Sequence, residues 1–283
     1  MITNDLNHFK SVVAHQFFVA PADRNYFVAK FCRVSNIYEE YWWQILQMVE
    51  KYLKAGIILN GGSVKKASGH DLVDLFTQHS SLLGDDALNV LSKPDGLRET
   101  WWSDIPVQEL IQRINLIGGP GIRYGLSSYW NHRADAYLAD QLAFELRRRT
   151  IGLTWLVGEH WEEPDLKQFY GRPYQTVLRE LPRHQIRPMK LPDKDLSSIG
   201  TSTVDLLYAW NFAFARSDED LSKPAPPSFA PLVAGMANSY LGIFYEAFKE
   251  ADPEAIRERV CWLIDTIKLG AAEAAFCKLI ERQ

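Results

Sequence analysis

Cysteine is scarce in this chain, and what there is does not cluster. Cys32, Cys261 and Cys277 are the only three in 283 residues. They lie too far apart for a metal motif, and an odd count without a pairing pattern suits a reducing compartment, with the thiols as small buried side chains. Long hydrophobic runs are missing too. The closest, Leu206 to Ala215, is too short to cross a bilayer and contains Asn211. Met1-Ile2-Thr3-Asn4-Asp5 offers neither a basic head nor an apolar stretch, so no secretory leader is expected. No charge of one sign dominates. The net charge of -4 is too mild for a dedicated nucleic-acid coat or a membrane-surface protein. No internal repeat is found. These absences together lead us to expect a soluble cytoplasmic protein with no membrane association.

What is present is helical pattern on a substantial apolar base. Hydrophobic residues make up 47% and charged residues 23%, enough for a sizeable core. The periodicity predicts a helix from Ala22 to Ser35, with Phe27, Phe31 and Val34 on one face. A second is predicted from Ile37 to Leu59. In it, Trp42, Leu46, Val49, Leu53 and Gly56 form one stripe, and Ile45, Met48, Tyr52 and Leu59 another. Glu40, Gln44, Gln47, Lys51 and Lys54 form a polar third. A helix apolar on two sides belongs inside a bundle. Asn60-Gly61-Gly62 ends it, and a third helix starts near His70. Further helices are predicted from Ile105 to Ile117 and from Ala134 to Ile151. The latter ends in Arg147-Arg148-Arg149, cations suited to the negative end of the helix dipole.

Beyond residue 151 the character changes. Residues 152–200 are rich in Pro, Gly and aromatics. A helix is predicted from Thr203 to Arg216 and a linker from Ser217 to Ser228. In the tail, Asp252 and Pro253 are the cap and first residue of an amphipathic helix that Gly270 closes, before a last helix from Ala271 to Arg282. We therefore expect an all-α protein in two parts: a bundle over residues 1–151 and a mostly helical extension over 152–283.

Chemistry-bearing residues gather at one end of the predicted hairpin. His70 and Asp71 stand at a helix start, where free N–H groups and the dipole favour an anion. Lys65 and Lys66 precede them, and Lys51 and Lys54 project from the helix before. Either this corner holds a phosphate, or His70 braces the loop while the lysines are solvated. Arg123 and Tyr124, after the Gly118-Gly119-Pro120-Gly121 turn, either line a pocket or brace that turn. No cofactor motif accompanies the glycines, since no strand precedes them and no Gly-Lys-Ser/Thr follows. No two histidines lie three or four apart on a helix with a third ligand, so no metal site is expected.

Glu50-Lys51-Tyr52-Leu53-Lys54-Ala55, a glycine-bearing loop, Gly69-His70-Asp71-Leu72 and Ile122-Arg123-Tyr124-Gly125 follow one another in that order. This resembles the HEPN family, over residues 15–151. Gly125 stands where the family commonly has proline. The resemblance implies an up-and-down helical bundle, often a homodimer, with roles near nucleotides or RNA and frequently in toxin–antitoxin or defence systems. It would make Lys51, Lys54, Lys65, Lys66, His70, Asp71, Arg123 and Tyr124 a ligand-binding corner.

Many HEPN members are metal-independent ribonucleases. They pair an arginine with a histidine after four to six intervening residues, the histidine acting as acid/base on the ribose 2′-OH and the arginine stabilising the phosphorane. Here only Arg179 and His184 have that gap, outside the matched bundle and interrupted by Pro182. The basic stretch Arg172 to Lys190, with Tyr170 and Tyr174, suits single-stranded nucleic acid or a solvated loop paired with Glu162, Glu163 and Asp165. Three functions follow: a non-catalytic module recognising a nucleotide, RNA or protein partner; a ribonuclease; or a structural assembly protein. The ribonuclease reading has a direct check. Purified protein would cleave RNA in EDTA, and His184→Ala would abolish cleavage; full activity in that variant removes the pair.

Overall fold

The computed structural model describes residues 6–65, 71–93, 99–124, 126, 128–130, 132–150, 156–158, 164–173, 177 and 240–281. Helix begins earlier than the periodicity predicts. α1 (Leu6–Ala14) runs through a π turn, His15–Val19, into α2 (Ala20–Val34). Pro21 explains why the sequence pattern hides this. Proline supplies no N–H and crowds the carbonyl a turn before it. The wider π turn absorbs that defect, with the Ala20 N–H donating to the His15 carbonyl. Asn36, at φ 59°, then reverses the chain between α2 and α3 (Tyr38–Leu59). Asparagine tolerates this left-handed backbone, and the Ile37 N–H closes the turn on the Cys32 carbonyl at 2.8 Å.

α3 is the central rod, and both of its apolar stripes are buried as expected. Tyr41, Trp42, Ile45, Leu46, Met48, Val49, Tyr52 and Leu53 are each at most 2% exposed. Burying one such side chain contributes about 1.5–3 kcal/mol. α3 touches α1 and α2, then α4 (Leu72–Leu83), α5 (Val107–Ile117), the single turn α6 (Pro120–Arg123) and α7 (Arg133–Arg148). Two short 3₁₀ turns, Gly84–Asp86 and Glu99–Trp101, bridge α4 to α5. Among the described residues every regular element is helical, apart from two isolated β-bridges, Val90 to Pro106 and Leu156 to Pro173. The protein is all-α. No helix among these residues is long and apolar enough to cross a membrane.

The tail helices are α8 (Tyr240–Lys249), α9 (Pro253–Thr266) and α10 (Glu273–Ile280). Asp252 caps α9 by accepting from the Glu254 N–H, with Pro253 in the first turn as predicted. These helices close on α1. The Phe9 ring lies 5.4 Å from Phe244, 5.7 Å from Phe248 and 5.9 Å from Trp262. The α3–α4 loop caps the other end of α9. Val64 N–H donates to the Thr266 carbonyl at 3.0 Å, and the Ser63 hydroxyl to the Asp265 carbonyl at 2.8 Å. Carbonyls at a helix C-terminus lack intrahelical donors, and this loop supplies them.

A polar network ties the rods together inside the core. The Asp23 carboxylate accepts from the Tyr52 hydroxyl at 2.5 Å and from Arg147 Nε at 2.9 Å. Asp140 accepts from the Tyr26 hydroxyl and from Lys30 Nζ, each at 2.7 Å. α2, α3 and α7 are thereby joined through charge-assisted bonds. Arg147 is thus a buried partner of Asp23 rather than an exposed cation at a helix end, whereas Arg149 pairs with Glu145 and also donates to its carbonyl.

His79 of α4 fills a different role. It is 1% exposed, and its Nδ1 has no hydrogen-bond partner among the described residues. A Cβ on Gly56 of α3 would lie 2.4 Å from its Nε2, so the glycine admits the ring. Gly56→Ala is expected to destabilise by about 1–3 kcal/mol through overpacking, despite alanine's better helix propensity. Thermal melting of the variant measures this, and an unchanged or raised Tm contradicts it.

Burial, with Arg149 nearby, lowers the His79 pKa to about 4. The pKa of His15 is lowered to about 4 by burial and then Arg147, with Asp23 opposing. Unfolded, both titrate near the ordinary value of 6.5. Between these values the unfolded chain binds more protons, so stability is full above about pH 6.5 and falls as pH drops toward 4. The slope is roughly 1.4 kcal/mol per pH unit for each ring. Urea unfolding at pH 7.5 and 5 checks this; equal stability at both rules it out.

Candidate functional site

Within the basic corner expected from sequence, each of the three described lysines has its own partner. Lys51 turns toward α2, where its Nζ donates to Asn25 Oδ1 at 2.9 Å and to Gln47 Oε1 at 3.0 Å. Burial lowers its pKa, against the opposing effect of Glu50. Lys54 forms an ion pair with the largely buried Glu50, at 2.5 Å. Lys65 reaches across to Glu273 of α10 at 3.0 Å. The three described lysines thus face three different surroundings. Lys66 and His70 lie outside the described residues, as do Arg179 and His184. Arg123 is placed by its backbone in α6.

Two of the expected site residues do come together. Asp71 and Tyr124 line one open cavity of about 370 Å³. Its other walls are Trp43 and Leu46 of α3, Asn115 of α5, and Gly119 and Pro120 of the following turn. The volume lies in the range of small-molecule sites.

Local sequence explains how these walls meet. Asp71 caps α4, its carboxylate accepting from the Val73 N–H at 2.9 Å. Asn115 reaches over from α5, and its Oδ1 accepts from the Leu72 N–H at 3.0 Å. Two free N–H groups of the α4 start are therefore satisfied by the cavity's own polar side chains. Asn115 Oδ1 being committed, its Nδ2 hydrogens remain as donors.

Gly118 lets the end of α5 come down onto α3. A Cβ there would lie 2.7 Å from both the Leu46 Cβ and the Trp42 carbonyl oxygen. α6 then turns the chain back. Tyr124 N–H donates to the Pro120 carbonyl at 3.0 Å, and Leu126 N–H to the Gly121 carbonyl at 2.7 Å. The Tyr124 side chain is left 69% exposed at the rim.

Chemically, the cavity combines aromatic and apolar faces with one carboxylate and one amide. It suits a flat ligand with hydrogen-bonding edges. The buried network around Asp23 is unsuited to such work. Asp23, Tyr52 and Arg147 are 5%, 0% and 8% exposed and spend their polar atoms on one another. Among the described residues, no three His, Cys, Asp or Glu side chains are grouped to hold a metal ion.

Sequence reasoning missed Trp43, Leu46 and Asn115 as site residues. The first two sit in a helix whose other aromatic and aliphatic residues are core. Asn115 was detectable only as a polar residue next to a glycine break. In the stretch read as a basic, aromatic run, Arg172 lies over the Phe169 ring at 5.6 Å, a cation–π contact within its own turn. Comparison of the chain with family models, curated proteins and solved structures returned no match in any of the three.

Proposed function

We propose that this chain is a HEPN-like, non-catalytic binding protein of the cytoplasm that recognises a nucleotide base in the cavity between α3, the start of α4 and the α5–α6 turn. The observation that carries this reading is the pairing of Asp71 and Asn115 against the walls of Trp43, Leu46, Pro120 and Tyr124. A purine or pyrimidine has two apolar faces and an edge of donors and acceptors. The aromatic and aliphatic walls match the faces. The carboxylate and amide match the edge.

The carboxylate gives a preference. A carboxylate accepts only, and guanine presents two adjacent donors on one edge, so guanine nucleotides are favoured. For the phosphate, His70 and Arg123 each neighbour a cavity residue in the chain. They are the side chains that the family resemblance also assigns to the ligand. The order of the helices and the position of Asp71 at the start of α4 support that resemblance.

Calorimetric titration of the full chain with GMP, AMP and UMP tests the reading. GMP is expected to bind most tightly. Tyr124→Ala is expected to weaken it about tenfold, the size of one base–aromatic stack, and Asp71→Asn to erase the preference for guanine. The helical CD signal stays unchanged in Tyr124→Ala, because that side chain is mostly exposed. No binding by the wild type, or unaltered affinity in both variants, overturns the proposal.

A further inference from the structure

The sequence leads us to expect three small buried thiols, and only one of them is buried. Cys32 is enclosed, and burial, then Glu40, raises the pKa of its thiol. Cys261 of α9 is exposed and Cys277 of α10 is half-buried. A thiol that solvent reaches is open to chemistry closed to a buried one.

The packing of the tail sets these two thiols at one level. α9 packs against α10 as an antiparallel hairpin. Its open end is fixed by Arg257, whose guanidinium donates to the Ile280 carbonyl at 3.2 Å. At the turn end the α3–α4 loop holds both helices. Val64 N–H donates to the carbonyl of Thr266, the last residue of α9, and Lys65 pairs with Glu273, the first of α10. Cys261 lies one turn in from Arg257, and Cys277 one turn in from Ile280.

The faces agree as well. Residues four apart share one face of a helix. Arg257 and Cys261 therefore share the face of α9 that meets α10. Glu273 and Cys277 share a face of α10, and Lys65 anchors that face to the loop capping α9. Val260 and Phe276, the residues just before the two cysteines, are each at most 1% exposed. The cysteines thus flank the outer groove between the helices, with the core beneath. Packed helices have axes about 8–10 Å apart and Cα radii of about 2.3 Å, so residues facing across such a pair come within the Cα separation of about 4.4–6.8 Å that a disulfide spans.

The geometry points to Cys261 and Cys277 as a redox-responsive dithiol, a modification site that a small disulfide, RSSR, closes. The thiolate of the exposed Cys261 attacks one sulfur of RSSR, forms a mixed disulfide and releases RS⁻. The Cys277 thiolate then attacks the Cys261 sulfur and expels the second RS⁻. Two protein thiols are oxidised to one S–S bond, RSSR is reduced to two RSH, and the cysteine protons end on the released thiols. The bond ties α10 to α9 and keeps Glu273 beside Lys65, in the loop that leads to α4. In a reducing compartment such a disulfide is transient and serves sensing. This inference is independent of the cavity reading.

The test treats the reduced full chain with oxidised glutathione and measures its intact mass and tryptic peptides. Trypsin cuts at Lys268, between the two cysteines, so a bridge joins two peptides. The folded wild type is expected to lose two hydrogens, to carry the bridge and to keep Cys32 as a free thiol, with dithiothreitol reversing the change. Cys277→Ser is expected to stop at a glutathione adduct on Cys261, and Cys261→Ser to form no bridge. The urea-unfolded chain, where the thiols meet only by chance, is expected to give about tenfold less bridge relative to adduct. A folded wild type that carries adducts without the bridge, that bridges no better than the unfolded chain, or that does not react at either cysteine overturns the proposal.

Discussion

The Asp23 carboxylate is the point on which the bundle closes. It sits in the core with the Tyr52 hydroxyl and the Arg147 guanidinium as partners. A buried charge without partners costs several kcal/mol, and removing one member of such a pair typically costs about 3–5 kcal/mol. Registers of α2, α3 and α7 that separate these three groups are disfavoured by that cost. Burial works to lower the Arg147 pKa, yet Asp23 and Tyr52 carry it above its ordinary value, so the guanidinium stays charged. Apolar burial supplies most of the stability; the network selects the arrangement.

That arrangement sets the other features. With α3 enclosed on both sides, Lys51 turns against α2 and Lys54 pairs with Glu50 of its own helix. The loop after α3 is drawn to the tail helices, where it caps α9 and gives Lys65 to Glu273. An open region beside α3 lies where α5 stops at Gly118. There the cavity forms, because a helix start, a helix end and a tight turn meet without side chains large enough to fill the gap. Asp71 and Asn115 serve the fold and the cavity at once, by satisfying the first N–H groups of α4.

Much of the fold could be read from the sequence, for reasons that are local. The two stripes of α3, the cap and proline at Asp252 and Pro253, and the glycine break at residues 118–121 each act within a turn or two of helix. The missed parts depend on partners distant in the chain. The helix through Leu6 and Val19 is hidden because Pro21 signals a start, while the π turn that accommodates it has no sequence signature. Arg147 reads as a terminal cation until folding brings Asp23 to it. The lysines read as one cluster because they are close in sequence, but Lys65 finds its carboxylate 208 residues away. For the site, Asp71 and Tyr124 were legible through motif resemblance. Trp43 and Asn115 were not, since periodicity assigns a face and cannot show where a neighbouring helix stops short.

The most direct measurement is an NMR titration of isotope-labelled protein with GMP, following the tryptophan indole N–H signals and the backbone amides. The account predicts saturable shifts at the Trp43 indole and at the Leu72 and Val73 amides, which hydrogen-bond Asn115 and Asp71, with the core signals of α7 unmoved. Shifts confined to other surfaces, or a spectrum indifferent to the nucleotide, would contradict it.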